Sequence, residues 1–247
     1  IHTDITLDVE TNLHILCEVL DNCRSADRVF NFISSWFVYG DCDLPAKEDA
    51  TCNPRGFYSI TKKCAEDLII DFCRTYGMKY RILRMPNVVG GFDPKASPKK
   101  NAISFLISLL KKGEDITLVN DGQVYRDVMH VDDVCRGINT VVNRGELNAI
   151  YNIGSGKLVS NLHLCKKILN LCKEKNILKK NIQIIHVKDR AGHDFRYSLN
   201  SSKIKTKIRW KAKTNLENGL IKTLDWYLKN QNFFREFKKS DITRRIG

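Results

Sequence analysis

The sequence predicts an α/β fold built on a parallel sheet, and three observations support this class. Short apolar runs that are typical of buried strands alternate with longer stretches of helical periodicity along the 247 residues. The hydrophobic content, 43%, is enough to bury a sizeable core in a chain of this length. The apolar run at 29–35 ends in polar residues, and open α/β sheets bind their ligands where strands end in this way.

The individual elements follow in chain order. The first part of the chain predicts a helix at 7–22, a strand at 29–35, a helix at 58–76 and a strand at 79–84. The turn-forming residues Asn53–Phe57 lead directly into the second helix, and 93–100 is typical of an exposed crossing loop. The later part predicts helices at 101–112, 131–142, 161–173 and 216–229, with strands at 116–119 and 149–153.

A tyrosine and a lysine one helical turn apart form the most informative pair for function. Tyr58 and Lys62 share one face of a helix, so the phenol and the ammonium can point into one cleft. A nearby cation favours the phenolate, which predicts a Tyr58 pKa below its ordinary value of about 10. Tyr58 could then act as a general base while a serine of the pair Ser34 and Ser35 holds the substrate oxygen. For this motif alone, an ordinary Tyr/Lys pair on an amphipathic helix is the alternative.

Further motifs appear in the order found in a known family. With Ser35, Tyr58 and Lys62 as its triad, the chain resembles the extended short-chain dehydrogenase/reductases, the NAD-dependent epimerase/dehydratase family that acts on nucleotide sugars. The resemblance covers nearly the whole chain, and its last part is similar to nucleotide-sugar 4,6-dehydratases in particular. The motifs that carry it after the triad are Arg84–Gly90, which looks like RxxNxxG, Asp121–Asp127, His130–Val134, Tyr151–Gly154 and Asp189–Tyr197.

The resemblance implies a Rossmann-like, doubly wound parallel sheet, truncated at its amino terminus, with a smaller α/β substrate-binding domain. It implies NAD as the cofactor, with NADP as the alternative, a nucleotide-diphosphate sugar as the small-molecule partner, and a homodimer. The cofactor contacts that it implies are Ser34, Tyr58, Lys62 and Met85. The substrate contacts that it implies are Asn87, Asn101, Ala102, Val119, Arg126, Arg190 and His193.

The predicted elements divide the chain into two domains. Residues 1–92 and 128–156 are expected to form the remainder of the NAD-binding domain. Residues 93–127 and 157–237 are expected to form the substrate-binding domain, and 238–247 a frayed tail.

The glycine-rich turn of complete family members does not occur in these 247 residues. Such members begin with a strand, a GxxGxxG turn and a helix whose amino end receives the cofactor pyrophosphate, because glycine lets the backbone approach closely. The chain is therefore expected to be the carboxyl-terminal three quarters of an enzyme. Either it is a fragment, or a separate chain supplies the missing half of the cofactor site. By itself it is expected to bind NAD weakly or not at all.

A second departure concerns the two residues after Ser35. In the 4,6-dehydratases that the tail resembles, these positions carry Asp and Glu, the acid and base that eliminate water from the sugar. Here they are Trp36 and Phe37, which cannot move a proton in that step. Simple core packing is an equally good explanation for the two aromatic side chains.

The sequence therefore favours a nucleotide-sugar epimerase-like oxidoreductase that transiently oxidises the sugar at C4. Two alternatives within catalysis are a 4,6-dehydratase and an NADPH-dependent keto-sugar reductase. A third alternative is a truncated, non-catalytic chain that only binds a nucleotide sugar.

Composition excludes several other classes. The net charge of +13 comes from residues 161–247, which carry 22 Lys and Arg against 7 Asp and Glu, and no aromatic-interleaved pattern accompanies them, so nucleic-acid binding is not expected. No apolar run is long enough to span a bilayer. Nine cysteines without a CxxC motif favour reduced thiols and a cytoplasmic location. His130 precedes Asp132 and Asp133, but a helix cap explains the carboxylates better than a metal site does.

Overall fold

The computed structural model describes residues 6, 9–25, 27–91, 102–178, 180–188 and 198–230. It has an α/β architecture of parallel strands and packed helices, which confirms the predicted fold class. The chain divides into two compact units. The first contains 1–87, 133–157 and 197–213, and the second contains 88–132, 158–196 and 214–247.

A three-stranded parallel sheet forms the centre of the first unit. Its order is β1 (Val29–Ser35), β2 (Lys79–Met85) and β6 (Ala149–Asn152). The β1 and β2 strands run in register from Val29 opposite Lys79 to Ser35 opposite Met85. The carboxyl ends of both strands therefore lie side by side, as the sequence predicts for a ligand-binding edge.

Two helices pack against β1 and β2 of this sheet. A π-helical turn at Glu10–His14 continues into α1 (Ile15–Asn22), and α2 (Phe57–Tyr76) connects β1 to β2. Their apolar faces share one buried cluster, against which Phe30, Phe32 and Tyr80 of the strands pack. The fully or nearly fully buried members of this cluster are Leu16, Leu20, Ala65, Ile69, Cys73 and Met78.

The loop between β1 and α2 returns close to its starting point. A 3₁₀ turn at Trp36–Val38 follows β1, and Gly40 then forms an isolated bridge with Asn53. Gly40 has a φ of +54°, and a Cβ atom at this position would lie 1.7 Å from the Asn53 carbonyl oxygen. Only glycine permits this approach, which brings the turn before α2 back to the end of β1.

The second unit is formed by short strands and three helices. These elements are β3 (Asn87–Val89), α3 (Ala102–Lys112), β4 (Ile116–Val119), β5 (Tyr125–His130), β7 (Leu158–Ser160), α5 (Asn161–Glu174), β8 (Ile184–Val187) and α7 (Leu216–Lys229). β4 and β8 pair in parallel, whereas β5 and β7 are antiparallel. One apolar cluster holds the unit together, with Leu110, Ile116 and Cys172 at its most buried positions.

The two remaining helices belong largely to the first unit. They are α4 (Val131–Arg144) and α6 (Ser202–Lys207). The domain prediction placed 157–237 in the substrate-binding part, whereas 197–213 lies in the first unit. Two hydrogen bonds to β6 and its continuation account for this position: Ser201 Oγ donates to the Gly154 carbonyl at 3.0 Å and Lys203 Nζ donates to the Ile150 carbonyl at 2.8 Å. Among the helices that the structure describes, none has the length and hydropathy needed to cross a bilayer.

Candidate active site

Ser35 ends β1 and begins the turn that follows it. Its hydroxyl oxygen accepts a hydrogen bond from the Phe37 backbone N–H at 3.3 Å and so caps the 3₁₀ turn. The residue is 7% exposed. A capped turn at the carboxyl end of a strand fixes the Ser35 backbone and leaves its hydroxyl directed at the start of α2.

Tyr58 lies in the first turn of α2 and is 37% exposed. The Ser35 hydroxyl is its polar neighbour. Burial raises the pKa of Tyr58 above its ordinary value, and the Ser35 hydroxyl works in the opposite direction without reversing the shift. The expectation that a neighbouring ammonium lowers this pKa is therefore wrong, because removal of the phenol from water outweighs the favourable effect of Ser35 on the phenolate.

Lys62 lies one helical turn after Tyr58, as the spacing predicts. Its ammonium donates a hydrogen bond to the Ile33 carbonyl of β1 at 3.2 Å and lies 4.8 Å from the centre of the Phe32 ring. Burial lowers the Lys62 pKa, and the charge of Glu66 opposes this effect. The lysine is thus held against the strand that carries Ser35, and its charge depends on a carboxylate one turn further along the helix.

Trp36 and Phe37, the two aromatic residues after Ser35, have different surroundings. Trp36 is 2% exposed and packs in a core cluster with Val38 and Tyr39. The Phe37 ring is only partly buried and stands edge-on to the Tyr58 ring, with centroids 6.1 Å apart and an interplanar angle of 84°. Core packing therefore explains Trp36, whereas Phe37 forms part of the wall beside Tyr58.

Ser34 contacts a buried ion pair. Its hydroxyl donates to the Glu66 carboxylate at 2.5 Å, and Arg84 donates to the same carboxylate through Nε at 3.0 Å and through a terminal nitrogen at 2.6 Å. Ser34, Glu66 and Arg84 are 3%, 1% and 2% exposed. Burial would lower the Arg84 pKa, but the hydrogen bonds and charge of Glu66 outweigh it, and the net shift is upward. The Arg84 guanidinium therefore keeps its charge.

The ion pair continues into a second set of buried polar contacts. The Arg84 guanidinium lies 4.5 Å from the centre of the Tyr39 ring, and the Tyr39 hydroxyl donates to Asn152 Oδ1 at 2.7 Å. Asn152, which is fully buried, donates from its backbone to the Glu48 carboxylate at 2.9 Å and from its amide to the Ala46 carbonyl at 2.9 Å. Burial raises the pKa of Tyr39 and of Glu48. These contacts tie β6 to the loop after β1.

The structure brings together four of the predicted residues and a fifth beside them. Ser34, Ser35, Tyr58 and Lys62 meet at the end of β1 and the start of α2, and Met85 is the register partner of Ser35 on β2. Asn87 follows two residues later and begins β3. Their assignments as cofactor or substrate contacts stay predictions.

The remaining predicted substrate contacts belong to the second unit or lie outside the described residues. Ala102 is the first residue of α3, Val119 is the last residue of β4, and Arg126 lies in β5 opposite Val159. The predicted contacts Asn101, Arg190 and His193 lie outside the residues that the structure describes. In the described ranges, no group of three or more His, Cys, Asp or Glu side chains could hold a metal ion.

Glu66 and Arg84 are site residues that the sequence reasoning missed. One signal was present for each of them. Glu66 lies four residues after Lys62 and eight after Tyr58, on the same face of the helix, and Arg84 directly follows the apolar pair Ile82 and Leu83 in a strand where it is buried. A charged residue inside such a strand requires a buried partner, so it predicts an ion pair.

Comparisons with known proteins identify the family of the chain. The family model described as "NAD dependent epimerase/dehydratase family" matches residues 2–154. The chain is 31% identical over 227 residues to a dTDP-glucose 4,6-dehydratase of Streptomyces niveus. The alignment covers 91% of this chain and 65% of that protein. The chain thus spans slightly less than two thirds of the length of this relative.

Two solved structures have the same fold. A UDP-glucose 4-epimerase of Thermotoga maritima with UDP-glucose has a TM-score of 0.82 at 26% identity, over 92% of this chain and 72% of that one. The dTDP-glucose 4,6-dehydratase DesIV of Streptomyces venezuelae with NAD bound also has a TM-score of 0.82, at 29% identity, over 94% of this chain and 70% of that one. Since the family model covers more than half of the chain, this protein belongs to the NAD-dependent epimerase/dehydratase family.

Proposed function

We propose that this chain carries the catalytic groups of an NAD-dependent nucleotide-sugar oxidoreductase of the epimerase type, which transiently oxidises the sugar at C4. The observation that carries the proposal is the convergence of Ser35, Tyr58 and Lys62 at one strand end. The Ser35 hydroxyl favours the phenolate of Tyr58, and Lys62 is held against the same strand by the Ile33 carbonyl.

The role of each residue follows from its chemistry. Tyr58 would take the proton of the C4 hydroxyl as the carbinol carbon is oxidised, and it would return a proton when the keto sugar is reduced. The Ser35 hydroxyl would donate to the substrate oxygen, which orients it toward the phenol. Return of the hydride to the opposite face of the keto sugar would invert the centre.

The described residues fit the ribose and nicotinamide end of NAD. An ammonium has three N–H donors, and the Ile33 carbonyl accepts one of them, so Lys62 would hold the ribose hydroxyls with the others. When bound, NAD would supply the hydride acceptor and a positive charge near Tyr58. An added positive charge favours the phenolate and so opposes the upward shift that burial causes in the Tyr58 pKa.

A nucleotide-diphosphate sugar is the proposed substrate class. Two of the relatives are named for dTDP-glucose and UDP-glucose, which share a diphosphate and a hexose. Asn87, which lies two residues after the β2 end beside Ser35, is the proposed substrate contact of the first unit.

The second candidate is a nucleotide-sugar 4,6-dehydratase, because relatives with that name match the chain at 31% and 33% identity. Against this candidate stands the Phe37 ring, which is packed edge-on to Tyr58 where an eliminating carboxylate would be needed. A phenyl ring cannot transfer a proton. Oxidation at C4 needs only the residues that the site contains, so the epimerase-type reaction is the better proposal.

Analysis of the product separates the two candidates. The 247-residue chain and a chimera preceded by the glycine-rich amino-terminal segment of the Streptomyces niveus relative are each given NAD with dTDP-glucose or UDP-glucose. We expect the chimera to give a product of unchanged mass with an inverted C4 centre by NMR, and the 247-residue chain, which is expected to bind NAD weakly or not at all, to give little product. Loss of one water by mass spectrometry would establish the dehydratase instead. In a parallel assay with a keto-sugar substrate and NADPH, two added hydrogens on the sugar with consumption of NADPH would establish a reductase.

A further inference from the structure

The buried contact between Ser34 and Glu66 has a bearing on the residue next to it. Ser34 lies on the same strand face as Phe30 and Phe32, whose rings pack against the cluster that α1 and α2 form. At Ser34 this apolar contact gives way to a hydrogen bond of 2.5 Å from the hydroxyl to the Glu66 carboxylate. A bond to a charged acceptor in a water-free position is stronger and more directional than one at the surface.

Arg84 fixes the carboxylate that receives this bond. Its guanidinium donates to both oxygens of Glu66, and a third donor reaches the Glu48 carbonyl at 3.3 Å. Two parallel bonds to a planar carboxylate define its plane as well as its position. Glu66 is therefore a rigid acceptor, held from β2 and presented to β1 from α2.

We propose that Glu66 is a positioning residue for the triad, acting through Ser34. Successive side chains of a strand alternate in direction, so a strand end that is held at Ser34 also has a fixed direction at Ser35. Ser35 in turn caps the turn at Phe37, and its hydroxyl is a polar neighbour of Tyr58. The charge of Glu66 also favours the ammonium of Lys62 one turn earlier. One carboxylate thus supports both the serine and the lysine of the triad.

This inference rests on the proposed function only for its catalytic consequence, because the structural link can be measured without turnover. The Phe37 amide is bonded to Ser35 Oγ, so its hydrogen exchange reports directly on how well Ser35 is held. Glu66→Gln is a poor first variant, since it leaves the Arg84 charge buried without its partner and can unfold the chain. Ser34→Ala is better because it removes only the link and preserves the ion pair.

The test compares Ser34→Ala with two further variants in the full 247-residue chain. We expect the Phe37 amide to exchange roughly tenfold faster in Ser34→Ala, which corresponds to the loss of one hydrogen bond to a charged group. Ser34→Thr, which restores a hydroxyl, should return exchange toward the parent rate. Ser59→Ala removes a buried serine hydroxyl from α2 and should leave the exchange rate of the Phe37 amide unchanged. Equal Phe37 exchange in Ser34→Ala and the parent would overturn the proposal.

A second readout separates this inference from the function itself. In the chimera used for the product assay, Ser34→Ala should lower kcat several-fold while KM for the nucleotide sugar stays unchanged, because a positioning defect acts on the reacting geometry. A rise in KM with kcat unchanged would count against positioning. If the parent chimera shows no turnover but the exchange rates change as expected, then the proposed function fails and the positioning role of Glu66 stands.

Discussion

The Phe37 ring stands edge-on to the Tyr58 ring, with centroids 6.1 Å apart and planes at 84°. This contact places an apolar side chain beside the proposed general base, at the position where the dehydratases that the chain resembles carry a carboxylate. Edge-to-face aromatic pairs contribute about 0.5–1.5 kcal/mol beyond the area that they bury. Phe37 therefore packs against the Tyr58 ring and places no proton-transfer group beside it.

The role of Tyr58 can be tested by removing one oxygen atom. In the active chimera, Tyr58→Phe should reduce turnover on the order of 10²-fold or more with little change in substrate affinity, because the base is lost and the ring is retained. Tyr76→Phe, at the exposed end of the same helix, is the matched control and should be close to the parent. Near-parent turnover of Tyr58→Phe would remove Tyr58 from the mechanism.

Lys62 is expected to act on the cofactor as well as on the reaction. Lys62→Met should weaken NAD binding and lower turnover together, since the ammonium that would hold the ribose is replaced by an apolar chain of similar length. Calorimetric titration of the chimera with NAD measures the first effect. The next residue provides the control: the Lys63 ammonium pairs with Asp67 at the surface, so Lys63→Met should bind NAD as the parent does. Equal affinity of both variants would contradict the assignment.

The two aromatic residues after Ser35 should respond differently to acidic substitution. Trp36 is 2% exposed inside a core cluster, so Trp36→Asp should destabilise the fold by at least about 3–5 kcal/mol in urea unfolding. Phe37 is partly buried beside Tyr58, and Phe37→Glu should fold. Because it restores a proton-transfer group at that position, it should produce a detectable fraction of product that has lost one water. A Phe37→Gln control, which cannot transfer a proton, should not.

The stability of the second unit is expected to fall at high pH because α5 contains two buried thiols. Burial raises the pKa of Cys165 to about 12 and that of Cys172 to about 11, from an ordinary value of 9.0. The folded state thus favours the protonated thiols. Their contribution to stability is fully present below about pH 9, the unfolded value, and is lost as pH rises through 11 to 12. Unfolding in urea between pH 8 and 11 should show this loss.

The same two thiols should resist alkylation at neutral pH. The exposed Cys17, Cys64 and Cys135 should react with iodoacetamide first, which peptide mass spectrometry resolves. Cys165→Ala should reduce the loss of stability above pH 9. Early modification of Cys165 or Cys172 in the folded chain would show that the core of α5 is open to solvent.

Self-association is expected through the outer surfaces of α1 and α2. Ile15 and Val19 on α1 and Ile60 and Leu68 on α2 are each 38% exposed or more, an unusual number of large apolar side chains for two neighbouring helices. We expect a dimeric mass by sedimentation at high concentration. Ile60→Glu should weaken the dimer through a buried, unpaired charge, whereas Leu147→Glu, an exposed apolar residue after α4, should not. A strictly monomeric parent would contradict the expectation.

Local sequence patterns determined most of the elements of this protein. The helix at 216–229 and the strand at 116–119 have the predicted bounds, and the helix predicted at 58–76 begins one residue earlier. Apolar periodicity and turn residues act over a few positions, so they can be recognised without knowledge of the fold. The strand at Ile184–Val187 was not predicted, because it is defined by pairing with Ile116–Val119, far away along the chain.

For the candidate site, too, local sequence features predicted one part and tertiary packing decided the other. The spacing of Tyr58 and Lys62, together with a serine at a strand end, was sufficient to predict which residues meet, because a helical turn and a strand terminus are local features. These local features could not predict the direction of the Tyr58 pKa shift, because that direction depends on how far the surrounding protein removes the phenol from water. The Glu66–Arg84 pair joins a helix to a strand, and only the packing of α2 on the sheet brings their charges together. The sequence determined the chemistry that is available, and the tertiary structure decided the electrostatic environment in which it acts.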